Sequence, residues 1–272
     1  MSIHPTAVID PRAELAAGVG VGPYSIIGPE VRVGESTEIG AHAVLEGRVA
    51  IGARCRIGHG AIIGGAPQDL KYREGVPVGV RIGDETVIRE YVTIHRATHE
   101  GRDTRVGGHC LLMASSHVAH DCVIGDHVII INYAGLTGHV TVEDRATVGG
   151  LTGVHPFVHI GTYAYVGGCS KVIQDVPPFV MVDGAPATAR AVNLIGMRRG
   201  GIDAGGRRQV KAAFRILYRS GQAPGAAAAQ IKTELGDHPL VARLVEFIEA
   251  SRRGIVGGAT GGVDDEPGEG EE

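Results

Sequence analysis

Six of the chain's 13 histidines crowd between positions 117 and 159: His117, His120, His127, His139, His155 and His159. Imidazole changes its charge nearer neutrality than any other side chain, so a group of imidazoles suits proton transfer. Such a base takes the proton of an attacking hydroxyl, and an unshielded backbone N–H nearby stabilises the oxyanion that forms. Gly138 offers an N–H of that kind. No serine or cysteine stands out as an activated nucleophile, so direct attack of a substrate hydroxyl on an acyl donor is the simpler chemistry. Two other readings stay open. Zinc takes three histidines readily, but His117 with His120 and His155 with His159 are three and four apart. On a strand, positions two or four apart share a face, so these pairs only half fit. The blandest reading is histidines that merely occupy corners.

The elements that must position these residues follow a period of six. From Ile3 to Ile63 every sixth residue is aliphatic, and the same step from Ile82 to Val172 fails only at Glu100. Glycine often follows, as at Gly22, Gly28, Gly34 and Gly40. A short strand in each hexad turns its aliphatic inward, and glycine or a polar residue makes the corner. Three hexads close a triangular coil of about 18 residues, and coils stack at about 4.8 Å. Gly138 then lies one coil above His120, with His139 beside it and His155 a coil further on. The phase breaks between Ile63 and Ile82, whose separation exceeds one coil by a single position. The segment 65–80 must therefore leave as a loop. A smaller excursion at 95–105 keeps phase. Solenoid faces are inert, so loops that leave them are where function is expected.

Composition agrees. The chain has 43 glycines, 4% aromatics and no tryptophan, which favours small repeated β geometry over a mixed core. No apolar run reaches the length of a membrane span, and the first residues do not read as a secretory leader. Cys55, Cys110, Cys122 and Cys169 form no CxxC pair and read as buried thiols of a reducing, cytoplasmic protein. The formal net charge is −4, which does not suit nucleic acid. Residues 198–219 nevertheless hold Arg198, Arg199, Arg207, Arg208, Lys211, Arg215 and Arg219 against Asp203 alone. That run suits an acidic partner. The prism is assigned to 1–178 and a helical domain to 190–253, with Asp203 as N-cap, Gly221 just past a helix end and Pro239 in a first turn. The Gly-rich acidic tail from 254 to 272 is expected to be disordered.

With these residues in view, the chain closely resembles the UDP-N-acetylglucosamine 3-O-acyltransferases of lipid A synthesis. IHPTAVI, QDLKY, TIHRAT, HVAHDC, GHV, VGGCSKVIQDVPP, VNLIGMRRG and LYRSG carry the likeness over nearly the whole chain. The resemblance implies a left-handed parallel β-helix with a C-terminal α-helical domain. It also implies a homotrimer, an acyl carrier protein as donor of a (3-hydroxy)acyl chain, a UDP-sugar acceptor, and neither cofactor nor metal. By matching motif, His120 is implied as general base, Asp121 as its orienting group and Gly138 as oxyanion donor. His117, His139 and His155 would line the sugar site, and Gln68, Asp69 and Lys71 would contact donor or sugar. Asn193, Arg198 and Arg199 would hold the nucleotide. Gly168 is implied as the acyl-chain ruler; hexad arithmetic puts it about 2.7 coils from His120, roughly 13 Å or ten carbons. Pro156, Ile195, the Ala185-Pro186 pair and Ala114-Ser115-Ser116 depart from the family pattern and bear on nucleotide recognition. A CoA-dependent acetyltransferase on another nucleotide sugar, a zinc carbonic-anhydrase-like trimer and a non-catalytic solenoid are the alternatives.

Overall fold

An aliphatic side chain at every sixth position is useful only if every sixth residue meets the same interior. The computed structural model, which describes residues 2–236 and 238–259, places these positions on three parallel sheets wound as one left-handed β-helix. Strands of two to four residues pair with the strand one coil away, as Ser2 with Gly20, His117 with Gly135 and Thr141 with His159. One sheet holds Val21, Ile39, Ile57, Ile88, Leu112 and Ile130 inward; a second holds Ile27, Leu45, Ile63, Ile94, Val118 and Leu136; a third holds Val33, Ile51, Ile82, Val106 and Ile124. We call these the first, second and third sheets.

Each hexad also buries a small residue two places before the aliphatic. Val19, Ala43, Ala61, Val92 and Ala134 stand there, as do Cys55, Cys110 and Cys122. At some polar positions the hydroxyl bonds a neighbouring carbonyl, Ser25 Oγ to Gly40 O at 2.7 Å and Thr86 Oγ1 to Gly107 O at 2.8 Å, whereas Ser116 Oγ has no partner among the described residues. A buried hydroxyl with a partner is nearly neutral in energy, which lets Ser and Thr share the slot with Ala. The expectation of four buried thiols is corrected for Cys169. It falls immediately before Ser170, out of this phase, and is exposed.

The corners also differ from expectation. The residue in left-handed backbone is mostly not glycine: Arg54, Tyr91, Asp121, His127, His139 and Phe157 have φ between 54° and 65°. The glycines that follow the aliphatics answer a different need, close approach of backbones. A Cβ on Gly22 would lie 2.7 Å from the Gly40 carbonyl carbon in the next coil.

Two loops leave the prism, both between the second and third sheets. Ile51 pairs with Ile82, well beyond the position one regular coil on. The excess is two hexads and one further residue, and it loops out after Ile62–Gly65. The gap from Ile63 to Ile82 is thus one hexad step plus that insertion, not a coil plus one. The odd residue is what breaks the phase. Ile82 pairs with Val106, a coil and one hexad away, so a single hexad loops out after Thr93–His95. One hexad is one full period, which is why the second excursion left the phase intact.

The prism does not end at 178. Val180–Gly184 continues the first sheet beside Tyr165–Val166 and turns, through Ala185-Pro186, into antiparallel Ala187–Val192. Among the described residues four helices follow: α1 (Leu194–Arg199), α2 (Ala204–Arg219), α3 (Pro224–Leu235) and α4 (Pro239–Ala250). Asp203 caps α2 by accepting the Gly206 N–H at 2.7 Å, and Gly221 follows its end at φ 72°. Ala213, Leu217, Ala228, Ile231, Leu244 and Ile248 form a second core among α2, α3 and α4. The expected disorder from 254 is corrected for residues 254–259. Ile255 and Val256 are buried, and the segment bridges to Asp175 and Ala189. Residues 260–272 lie outside the described residues.

Candidate active site

The edge from which both loops depart is also the edge of the histidines. Coil by coil it carries the excursion 96–102, then His120 and Asp121, then Gly138 and His139, then His155 and Phe157. Asp121 is the buried centre, its side chain 1% exposed. Its Oδ2 lies 2.8 Å from His120 Nδ1 and accepts the Thr98 hydroxyl at 2.6 Å. The Thr98 N–H reaches both carboxylate oxygens, at 3.2 and 3.3 Å. Burial alone would raise the Asp121 carboxyl, but the bonds from Thr98 and His120 outweigh it and hold it below the usual range. An ionised carboxylate only accepts, so His120 carries its proton on Nδ1 and presents the lone pair of Nε2.

The other partner is Gly138. A Cβ there would come within 2.4 Å of His120 Cε1, so the imidazole lies over bare backbone. Among the described residues the Gly138 N–H makes no hydrogen bond. His139 meets His120 edge-on at 5.2 Å and stacks on Phe157 at 4.4 Å. Burial lowers His139 despite the nearby Asp121 charge. His117 stands on the second sheet, bonded to Thr93 Oγ1 at 2.7 Å and edge-on to His95 at 4.9 Å. Burial, then His95 and His120, push its pKa down to about 4, so it is neutral in the working range.

The structure separates other residues that the sequence grouped. His127 lies on the edge between the third and first sheets, stacked on His109. His159 stands outward on the third sheet, 2.8 Å from Glu143 Oε1. His155 lies two coils from His120, with Nδ1 3.1 Å from an Arg253 amine. Gly168 is on the edge between the first and second sheets, so no straight groove within one chain joins it to His120. The direct path expected from hexad arithmetic is corrected accordingly. Gln68, Asp69 and Lys71 sit in the larger loop, where Asp69 Oδ1 accepts the Lys71 N–H at 2.8 Å. Among the described residues they do not touch His120. Tyr72 ties that loop to the smaller one, its hydroxyl accepting from Arg96 Nε at 3.0 Å. Asn193 is buried as the N-cap of α1: Oδ1 accepts the Gly196 N–H at 2.9 Å and Nδ2 donates to Tyr163 O at 2.8 Å. Arg198 and Arg199 are exposed at the end of that helix.

His95, Thr98, His99 and Arg253 join the site without having been singled out from sequence. The donor atoms of His120, Asp121 and His139 all lie within 4.8 Å of one another, a grouping that could hold a metal ion. The arrangement otherwise combines a base of fixed tautomer with an open N–H one coil away, which serves addition to a carbonyl.

Residues 175–256 match the family model for the second domain of UDP-N-acetylglucosamine O-acyltransferase, and 30–65 and 103–138 match the bacterial transferase hexapeptide model. The acyl-[acyl-carrier-protein]–UDP-N-acetylglucosamine O-acyltransferase of Saccharophagus degradans is 44% identical over 93% of this chain and 98% of its own. The enzyme of that name from Thiobacillus denitrificans is 45% identical over 94% and 99%. The solved structure of LpxA from Acinetobacter baumannii superposes with a TM-score of 0.89 at 41% identity, covering 93% of this chain and 99% of that one.

Proposed function

The chain belongs to the acyl-[acyl-carrier-protein]–UDP-N-acetylglucosamine O-acyltransferases and is an acyltransferase of that specificity, and from this premise we propose how its own residues perform the transfer. His120 Nε2 takes the proton of the sugar 3-hydroxyl as its oxygen attacks the thioester carbonyl of a (3-hydroxy)acyl carrier protein. The Gly138 N–H holds the oxyanion. The intermediate collapses by expelling the carrier thiolate, which takes back the proton from His120, and the ester remains on the sugar. No cofactor enters. The observation that carries this reading is the pair formed by the oriented Nε2 of His120 and the bare Gly138 one coil on.

His95 Nδ1 is buried with no hydrogen-bond partner among the described residues. With His117 and His139 it gives the sugar hydroxyls neutral partners. A homotrimer would complete the cleft. In support, Val8, Ile26, Val44 and Ile62 line up outward on the second sheet, and three of them are 40–63% exposed. Such a column gains by burial against copies of itself. In that assembly Gln68, Asp69 and Lys71 from one chain, and Gly168, Arg198 and Arg199 from a neighbour, would reach the site of His120. The exposed arginines of α2, Arg208 and Arg219, would meet the acidic carrier. Among the described residues no helix is long and apolar enough to cross a membrane. We propose a cytoplasmic location on a separate ground: the thiols of Cys55, Cys110, Cys122 and Cys169 are free, which suits a reducing compartment.

Metal binding is the second reading, favoured by the grouping of His120, Asp121 and His139. Against it, Asp121 Oδ2 is already engaged by Thr98 and His120. The test follows product by mass spectrometry from acyl carrier donors and UDP-N-acetylglucosamine, with metal content measured on the same protein. Transfer that is unaffected by chelation supports the base; activity that follows bound metal supports the second reading.

A further inference from the structure

The mechanism uses His120, Asp121 and Gly138, but the bonds on Asp121 come largely from outside that set. The one-hexad excursion supplies them. Thr98 Oγ1 lies 2.6 Å from Asp121 Oδ2 and 2.7 Å from His99 Nδ1. A hydroxyl has one hydrogen, and an ionised carboxylate cannot donate, so Thr98 donates to Asp121 and accepts from His99. Oδ2 therefore receives Thr98 on one side and His120 Nδ1–H on the other. From the prism below, the Asp121 N–H donates to Thr104 Oγ1 at 2.9 Å. Thr98 lies in the excursion and Thr104 on the third-sheet strand that follows it, so loop and prism hold Asp121 from two sides.

We propose that Thr98 is a positioning residue of the acyl transfer, its hydroxyl fixing the Asp121 carboxylate and, through it, the tautomer and direction of His120. The role rests on His120 being the base. It gives a reason for the one-hexad loop that leaves the prism one coil before the base. A plain corner in that coil would bring no side chain over Asp121. In the structure as it stands, loss of the Thr98 hydroxyl alone would leave the carboxylate to turn between His120, His139 at 3.8 Å and His99 at 4.0 Å. Each of those imidazoles competes for its oxygens, and Arg102 adds charge nearby.

Thr98→Val removes the hydroxyl while keeping size and the backbone N–H. In the assembled enzyme with both substrates, kcat should fall by about tenfold to a hundredfold, the range for groups that orient a catalytic ligand. KM for donor and for acceptor should stay as in the parent. The acid limb of the kcat/KM profile should move to higher pH, because an aspartate without that donor holds the shared proton more tightly. Thr98→Ser should restore both rate and profile. Thr98→Ala serves as the second variant should Val perturb folding, checked by circular dichroism and size. A folded Val or Ala variant with parental kcat and pH profile overturns the proposal. So does a loss confined to KM or to stability with the profile unmoved. His120→Ala is run alongside: if it keeps turnover, the base assignment itself fails, an outcome separate from any result at Thr98.

Discussion

Histidines in left-handed backbone stand on all three edges of the prism, His42 on the one between the first and second sheets, yet only one edge holds the proposed base. On the edge between the third and first sheets, His109 and His127 have φ of 55° and 58° and stack 4.8 Å apart. On the edge between the second and third sheets, Asp121 and His139 have φ of 59° and 63°. On the former edge the aspartates serve the backbone, and the carboxylate facing His109, that of Glu85, is exposed. Asp84, Asp126 and Asp144 accept the N–H groups of Ala53, Gly108 and Asp126 at 2.8, 2.8 and 2.9 Å. On the latter, Asp121 accepts from side chains and is covered by a loop. A repeated corner therefore supplies imidazoles anywhere, but a reactive one needs burial and a second contact, and the excursions provide both.

The largest expected effect breaks or keeps that contrast directly. His120→Ala should lower turnover by about 10²–10⁴-fold, the range for a lost general base, while His127→Ala on the matching edge leaves it unchanged. Equal losses from the two would show that the edges do not differ in function. Next comes the backbone under the base. Gly138→Ala forces a Cβ to 2.4 Å from His120 Cε1, so turnover should drop at least about tenfold as the ring moves off line. Gly135→Ala, with nothing within 4 Å of its Cβ, should fold normally and bounds what a mere methyl group does.

A third effect concerns pH and the face beside the histidine edge. His117 has a folded pKa lowered to about 4, so between about 6.5 and 4 the unfolded chain binds the proton that the folded one refuses. Stability should therefore fall as pH drops through that window. His117→Gln should flatten the decline in melting temperature, and a slope identical to the parent's would remove the burial argument. The smallest effect concerns the remaining edge. Gly168→Met should shift donor preference towards shorter acyl chains in the trimer without changing turnover on the best donor. Unaltered chain-length selectivity would leave Gly168 as an ordinary corner glycine.

Much of this prism was legible because period six is imposed by contact with a single interior. Ile3 through Val172 announce themselves by phase alone, and the coil length then sets Gly138 over His120. The small buried slot that holds Cys55, Ala61 and Ser25 was not legible, because its occupants share size rather than polarity. The lengths of the excursions were hidden in opposite ways. The larger loop shifted phase and so was visible, though its length was misread. The smaller loop conserved phase and concealed Thr98 and His99 beside Asp121. The hairpin from Val180 to Val192 and helix α3 lie beyond the period, where alternation over a few residues and an alanine run gave only weak signals.

The stacking of Gly138 one coil beyond His120 has a consequence for how such sites arise. The separation between the proposed proton acceptor and the proposed oxyanion donor is here a lattice constant of the sheet, about 4.8 Å, rather than a distance tuned by individual loops. Translation by one coil reproduces it anywhere along the edge. A catalytic pair could accordingly be moved up or down the prism by exchanging two side chains, with no redesign of the backbone between them. The features that cannot be translated are the two insertions, and they give the edge its address.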